Sequence, residues 1–76
     1  LVKELIEHIQ PVIEQQGFFL VEVKMKGSGR SPVFQIFIEH ESGVSINDCS
    51  RLSKDISMLI DMKYPDFQNY RLEVSS

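Results

Sequence analysis

The most reactive side chain in the sequence belongs to Cys49, the single cysteine of the chain. A thiol acts as a nucleophile or a metal ligand only as the thiolate, which needs an exposed and electropositive setting. Cys49 instead shares an apolar stripe with Leu52 and Ile56, where a free cysteine usually behaves as a small hydrophobic residue. We therefore predict a packing role for Cys49. A lone cysteine also leaves no internal disulfide and fits a reducing cytosol.

Metal binding is the second kind of chemistry that the residue types suggest. Glu39, His40 and Glu41 are adjacent, and His8 lies far away in the sequence. A metal site needs several ligands that converge on one point, but neighbouring residues of a strand point to opposite faces. We predict that these residues form a solvated strand end and that the chain has no metal site.

Phosphate binding is the third possibility, at the one local cluster of positive charge. Lys24 and Lys26 precede the segment 27–30, whose sequence is GSGR. The segment lacks both the glycine and lysine spacing of a P-loop and the Gly-x-x-Gly loop with which KH domains clamp RNA. We predict a hairpin turn without a nucleotide site, at which Lys24, Lys26 and Arg30 are candidate contacts to RNA. The alternative is a turn that binds nothing.

Catalysis has little support in the pattern of polar residues. The serines lack the glycine elbow of hydrolases, and the chain has only two histidines that could act as a base. We predict that the chain is not an enzyme and that it uses no cofactor and no small-molecule substrate.

The overall charge argues against direct binding to a nucleic acid. The chain has 76 residues and a formal net charge of −3, with 42% hydrophobic and 25% charged residues. This size and composition predict one small globular domain. Nucleic-acid-binding domains usually gain affinity from Lys and Arg, so a basic protein is the expected direct partner. The sequence has no apolar run of the ~20 residues that a membrane helix needs, and we expect no membrane contact.

Two amphipathic helices are predicted from apolar residues that recur at steps of three and four. The first ends at Gly17, which suits the left-handed conformation that commonly closes a helix, and Pro11 is expected to kink it or to restart it. The second begins after Ser45, a good N-cap, with Asp48 three residues later. The apolar stripes are Val2, Leu5, Ile6, Ile9, Val12 and Ile13 in the first helix, and Ile46, Cys49, Leu52, Ser53, Ile56, Leu59 and Ile60 in the second.

Three strands are predicted from segments in which apolar and polar residues alternate. The first two flank the glycine-rich turn as an antiparallel hairpin, and the third spans 70–75. The side chains predicted to face the helices are Phe19, Val21, Val23 and Met25, then Phe34, Ile36 and Ile38, and last Leu72 and Val74. The order α-β-β-α-β predicts a two-layer α+β domain, with two helices on one face of a three-stranded sheet. A crossover through the second helix predicts the strand order 3-1-2.

Two surfaces are candidates for contact with a protein partner. Phe37 is out of phase with its apolar neighbours and is predicted on the sheet face opposite the helices, where an aromatic side chain can anchor an interface. The polar face of the second helix carries Asp48, Arg51, Lys54 and Asp55, and its acidic members suit a basic partner. The alternative for both surfaces is an ordinary solvated face.

Three stretches of the sequence together resemble the N-terminal domain of the ribosome maturation factor RimP family. They are PVIEQQGFFLVEV at 11–23, GVSINDCSRLS at 43–53 and YRLEVSS at 70–76. The first is similar to a helix end and first strand of that family. The second is similar to its glycine-to-cysteine entry into the second helix, and the third to the end of the domain. Together they cover nearly the whole chain, in the order and spacing of the family.

The resemblance implies both a fold and a function. The family fold has two helices on one face of a three-stranded sheet, as the periodicity also predicts. The implied function is that of a non-enzymatic, cytoplasmic bacterial factor that binds the immature small ribosomal subunit and assists its late maturation. The implied partners are a ribosomal protein near the decoding region, ribosomal RNA close by, and a C-terminal β-barrel domain that follows in the family. Residues 1–76 are therefore expected to be an N-terminal fragment.

Two other functional classes compete with this interpretation. A KH-like RNA-binding module shares the general α+β layout, and its binding should fall steeply with salt. An enzyme, or the pro-segment of a protease, could also use a similar small fold. Similarity of fold alone does not decide among these functions.

Overall fold

The computed structural model describes residues 2–27, 31–67 and 69–76. Along the chain it contains helix α1 (Val2–Gln15), strands β1 (Phe19–Lys26) and β2 (Val33–Glu39), helix α2 (Ile46–Lys63) and strand β3 (Arg71–Ser75). The two helices pack against each other and cover one face of the three-stranded sheet. The predicted two-layer α+β class is therefore confirmed.

Helix α1 ends in a hydrogen-bonded cap. Gly17 has a φ of +90°, and its N–H donates to the carbonyl of Glu14 at 3.0 Å. The N–H of Phe18 donates to the carbonyl of Ile13 at 3.2 Å. This pair of bonds is the Schellman motif, which satisfies carbonyl groups at the end of a helix. The helix runs through Pro11 as one element, so it does not restart there.

A β-bulge in β1 changes which of its side chains face the helices. The pairing of β1 with β2 is regular except for a shift between Leu20 and Glu22. Val21 is the extra residue, and the alternation of side chains changes phase there. Phe19 and Val21 each expose 57% of their surface, while Val23 is buried. The prediction that Phe19 and Val21 face the helices was therefore wrong, whereas that for Val23 is confirmed.

Strand β2, not β1, occupies the centre of the sheet. The strand order is β1-β2-β3, in which β1 pairs antiparallel and β3 pairs parallel to β2. The predicted order 3-1-2 was wrong for a physical reason. Phe34, Ile36 and Ile38 of β2 are each 0% exposed, and a central strand has neighbours on both sides to achieve that burial. The bulge of β1 is better tolerated at an edge.

One hydrophobic core lies between the sheet and the helices. The buried residues of α1 are Leu5, Ile9 and Ile13, those of α2 are Leu52, Ile56 and Ile60, and the strand side provides Phe18, Val23, Phe34, Ile36 and Ile38. Leu72 and Val74 of β3 are half-buried and pack against this core, as predicted. Ile46 was predicted on the buried stripe but is 85% exposed, because it lies in the first turn of α2, beyond the end of the core.

Polar side chains hold α2 near both of its ends. The Oγ of Ser45 accepts from the N–H of Asp48 at 3.0 Å, and Oδ2 of Asp48 accepts from the N–H of Ser45 at 3.0 Å. This capping box confirms Ser45 as the N-cap. Further along, the hydroxyl of Tyr70 lies 2.9 Å from Oγ of Ser57 and 3.0 Å from Oδ1 of Asp61. The residue that precedes β3 is thus attached to α2.

Candidate protein-interaction site

A network of polar side chains joins the end of α1 to the first half of α2. The side-chain oxygen of Gln16 accepts from Nε of Arg51 at 3.2 Å, and its Nε2 donates to Oδ2 of Asp55 at 2.8 Å. Arg51 also donates from Nη2 to Oδ1 of Asp48 at 3.3 Å. We call Gln16, Asp48, Arg51 and Asp55 the Gln16 network. It brings together three of the four residues predicted on the polar face of α2.

Lys54, the fourth of those residues, lies apart from the Gln16 network. Each residue of a helix is rotated by about 100° from the one before it, so Lys54 faces a different direction from its neighbour Asp55. Its side chain is exposed and borders the groove between α2 and β3. The structure therefore divides the predicted polar face into two surfaces.

The carboxylate of Asp48 is held in its charged form by the start of α2. The hydrogen bonds from the backbone and the side chain of Ser45 lower the pKa of Asp48 below its ordinary value. Burial opposes this shift, and the charges of Arg51 and His40 add to it. The Gln16 network consequently presents anionic groups around one guanidinium group.

Arg51 is the most exposed member of the Gln16 network, and its guanidinium group is held in one orientation by hydrogen bonds. The side chain of Arg51 is 57% exposed, against 26% for that of Asp48. An exposed ion pair of this kind adds little to stability. Its contacts to Gln16 and Asp48 instead restrict the side chain, so that binding a partner costs less conformational entropy.

The second candidate surface is the sheet face opposite the helices, which we call the outer sheet face. The strand register places its residues in three rows across the sheet: Glu22, Phe37 and Ser75; Lys24, Gln35 and Glu73; and Lys26, Val33 and Arg71. Phe37 lies on this face, as predicted, and is half-buried. The Nζ atom of Lys24 is 5.8 Å from the centroid of the Phe37 ring, within the range of a cation–π interaction.

The charges of the outer sheet face are unevenly distributed over the three rows. Lys26 and Arg71 share one row, Lys24 and Glu73 share the next, and Glu22 is the charged residue of the third. A phosphate backbone lying across the whole face would therefore meet both signs. Lys24 and Lys26, two of the predicted RNA contacts, are exposed. Arg30, the third, lies outside the described residues. The RNA contact stays a prediction.

A groove of about 930 Å³ runs between α2 and β3. We call it the α2–β3 groove, and it is lined by Val44, Ser45, Ile46, Cys49, Ser50, Ser53, Lys54, Ser57, Met58 and residues 72–76. Its lining is mainly apolar or hydroxyl-bearing, with Lys54 and Glu73 as the charged members. Cys49 is half-buried in the wall of this groove and not in the core, so the predicted packing role is only partly right.

Of the residues considered as metal ligands, Glu39 and Glu41 are exposed, as expected of a solvated strand end, whereas His40 is engaged in local packing. Nδ1 of His40 accepts from the N–H of Ser42 at 3.0 Å, and the His40 ring lies 5.1 Å from that of Phe18. Within residues 2–27, 31–67 and 69–76, no three side chains of the metal-ligating types are grouped to hold an ion. In the same described ranges, no helix has the length and apolar character needed to cross a membrane.

Gln16 is a site residue that was not predicted from the sequence. Its side-chain partners are 35 and 39 positions away in the chain, so no local pattern could reveal them. Met58 and Met62 of α2 were not predicted as surface residues either, and they expose 62% and 72% of their surface. Their spacing of four residues on an otherwise polar side of the helix is a signal that could have revealed them.

The chain also matches a known protein family. The family model of the RimP N-terminal domain matches residues 8–76. This range takes in most of α1, all three strands and α2. It therefore contains the Gln16 network, the outer sheet face and the α2–β3 groove.

Proposed function

Since the chain belongs to the RimP N-terminal domain family, and so is a domain of a ribosome maturation factor, we propose that it binds the immature small ribosomal subunit and assists its maturation without catalysing a reaction. The family match over residues 8–76 carries this proposal. We place this work in the cytoplasm, where the subunit is assembled.

The direct contact in this proposal is a ribosomal protein near the decoding region, with ribosomal RNA close by. The chain has 11 acidic residues against 8 lysines and arginines. An acidic domain attracts a basic protein over long range and orients it during the encounter. Direct binding to the phosphate backbone would gain much less from this charge balance.

The Gln16 network is the surface that we assign to this contact. Arg51 and Asp55 are both hydrogen-bonded to Gln16, at 3.2 and 2.8 Å, so their orientation is set before a partner arrives. Asp48 and Asp55 supply acidic groups for a basic partner, and Arg51 supplies a forked donor for a carboxylate or a carbonyl group. Lys54 extends the contact towards the α2–β3 groove.

The outer sheet face has a separate role in the proposal. Phe37 is a candidate anchor for the partner or, in a longer protein with the family's C-terminal β-barrel domain, for that domain. Lys24 and Lys26, with Arg30 beyond the described residues, are candidate contacts to the ribosomal RNA nearby. Their positive charges support a contact at the rim and not a binding site for RNA alone.

Co-sedimentation of the chain with immature and mature small subunits, at two salt concentrations, tests the proposal. Preferential sedimentation with the immature particle is the expected result. Asp55→Lys should weaken this binding several-fold, because it removes an acidic group from the network and places a cation towards a basic partner. Glu7→Lys makes the same change of charge on the exposed side of α1 and should change binding much less.

A different outcome of the same experiment would contradict the maturation role. If the chain sediments with neither particle but binds free RNA with an affinity that falls steeply with salt, the maturation role is wrong. The KH-like RNA-binding module is then the better description, because steep salt dependence reports contacts to phosphate.

A further inference from the structure

Among the residues that the structure describes, strand β3 has no strand on its far side, so it presents a backbone edge beside the α2–β3 groove. It is the last strand of the sheet, and it pairs with β2 in an unbroken register. The N–H of Arg71 donates to the carbonyl of Pro32 at 2.9 Å and so points towards β2. Since backbone groups alternate in direction along a strand, those of Leu72 and Val74 point away from β2. Such an edge is a template for another extended chain.

We propose that an extended segment of a protein partner, carrying a basic residue, adds to β3 as a fourth strand of the sheet. Its backbone pairs with the outward N–H and C=O groups of Leu72 and Val74, which is the β-augmentation mode of recognition. Its alternate side chains enter the α2–β3 groove, and the others lie beside Glu73 on the outer sheet face. This inference deepens the proposed function and rests on it for the identity of the partner.

The α2–β3 groove determines which side chains fit on the inner side of the added strand. Cys49, Ser53 and Met58 line its wall on α2, and Met58 is 62% exposed. Small apolar or hydroxyl-bearing side chains can be buried against such a wall, whereas a charged group would lose its hydration against these three side chains. The inner positions of the segment that face them are therefore uncharged.

Glu73 determines the charge on the outer side of the added strand. It is exposed and lies between the outward-facing backbone groups of Leu72 and Val74. Its Oε1 accepts from Nε2 of Gln35 at 3.0 Å, which orients the carboxylate on the outer sheet face. An opposite charge directly across from it stabilises strand pairing, and a like charge destabilises it. A lysine or arginine is therefore favoured opposite Glu73.

The same residue argues against a second copy of the chain as the occupant. Antiparallel pairing of two β3 strands over their full length places Glu73 opposite Glu73 of the other copy. These like charges destabilise the pair, and a slipped register leaves part of each short strand unpaired. A partner segment with a basic residue has neither disadvantage.

The other edge of the sheet is less suited to an added strand. Strand β1 is interrupted by the bulge at Val21, and it carries Lys24 and Lys26 along its length. Bulges and lysines are the features with which proteins commonly block an edge. The regular register of β3 is the reason for assigning the added strand to it.

The probe for this inference is a blocked synthetic peptide of alternating valine and lysine, about seven residues long. Amide hydrogen exchange of the chain is followed by NMR with and without the peptide. We expect the N–H groups of Leu72 and Val74 to exchange rapidly in the free chain and roughly tenfold more slowly with saturating peptide. Those of Arg71 and Glu73, which face β2, should change little. Slow exchange at Leu72 and Val74 in the free chain would overturn the proposal, because the edge would already be covered.

Charge-reversed variants test whether the edge of β3 selects a peptide with basic residues opposite Glu73. Glu73→Lys should weaken binding of the valine–lysine peptide roughly threefold or more, and should strengthen binding of a matched valine–glutamate peptide. Glu22→Lys makes the same change of charge on β1, at the far side of the sheet, and should alter neither affinity. Equal effects of the two variants would mean a general attraction to net charge and would contradict the proposal.

The peptide experiment contains no ribosome, so the two proposals fail separately. Protection of Leu72 and Val74 by the peptide, in a chain that does not sediment with immature subunits, supports the added strand and contradicts the maturation role. Sedimentation with immature subunits, without protection of the edge by the peptide, supports the maturation role and contradicts the added strand.

Discussion

The hydroxyl of Tyr70 lies 2.9 Å from Oγ of Ser57, which ties the residue before β3 to the middle of α2. The same hydroxyl lies 3.0 Å from Oδ1 of Asp61. Burial raises the pKa of Tyr70 above its ordinary value; the bond to Ser57 opposes this shift and Asp61 adds to it. The contact helps to set the distance between α2 and β3, and hence the shape of the α2–β3 groove.

Replacing Tyr70 by phenylalanine tests the strength of this attachment. We expect Tyr70→Phe to lower the free energy of unfolding by about 1 kcal/mol, because partly buried polar groups lose a hydrogen-bond partner. Tyr64→Phe is the matched control. The hydroxyl of Tyr64 is buried and has no hydrogen-bond partner among the described residues, so its removal should be neutral or stabilising. Urea denaturation measures both changes, and a larger loss for Tyr64→Phe would contradict the assignment.

Asp48 should make the stability of the domain depend on acid pH. Its pKa is lowered in the folded state, first by the backbone N–H and the hydroxyl of Ser45. The unfolded chain, with a pKa of about 3.9, therefore binds a proton at a higher pH than the folded chain does. The stabilisation is present above that pH and is lost as the pH falls through the lower, folded pKa.

Asp48→Asn is accordingly expected to reduce stability at neutral pH and to flatten its decline in acid. Denaturation curves recorded at a series of pH values compare the variant with the unchanged chain. Asp66→Asn, in the exposed loop after α2, makes the same substitution away from Ser45 and serves as the control. An equally steep acid decline in Asp48→Asn would show that Ser45 does not favour the ionised form of Asp48.

The bulge in β1 predicts that two valines that lie two positions apart contribute very differently to stability. Val23→Ala should cost about 2 kcal/mol of unfolding free energy, because it leaves a cavity in the core. Val21→Ala should cost about 0.5 kcal/mol or less, since Val21 is mostly exposed. Thermal or urea denaturation of the two variants measures the difference. Similar losses would mean that the alternation continues without a bulge.

Gln16→Ala tests whether the orientation of Arg51 matters for binding. Without the Gln16 side chain, Arg51 and Asp55 keep their charges but lose the group that holds them. We expect binding to immature small subunits to weaken several-fold, from added conformational entropy, while the fold is retained. Gln10→Ala, on α1, removes a glutamine whose side-chain partner in the described part of the chain is Glu14 of its own helix, and it should not change binding. Equal affinity of both variants would exclude a positioning role for Gln16.

The ends of the helices could be predicted because they depend on residues close in sequence. Gly17 adopts a left-handed conformation that other residues rarely take, and the side chain of Ser45 reaches an N–H three residues away. The buried stripes of α1 and α2 likewise follow from their periodicity, since a helix in this two-layer fold must bury its apolar side. The same holds for β2, whose strict alternation matches its burial.

The errors concern features that depend on distant residues. The phase of β1 changes at Val21 because its pairing with β2 requires a bulge there, which the alternation of Phe19, Val21 and Val23 does not reveal. In the candidate site, too, the contacts between nearby residues could be predicted and those between distant residues could not. Asp48 and Arg51 can be placed on one side of α2 from their spacing, but Gln16 joins them only because α1 packs against α2.

The sequence by itself determined the kinds and ends of the elements, the α+β class and the resemblance to the family. These depend on local backbone preferences and on the periodic placement of apolar residues. Only the tertiary structure decided that β2 is central, that Gln16 links Arg51 to Asp55, and that β3 lies at the edge of the sheet. The reason is physical: strand order and contacts between helices are set by the packing of segments far apart in the chain, and the short-range pattern of a single sequence does not encode which segments meet.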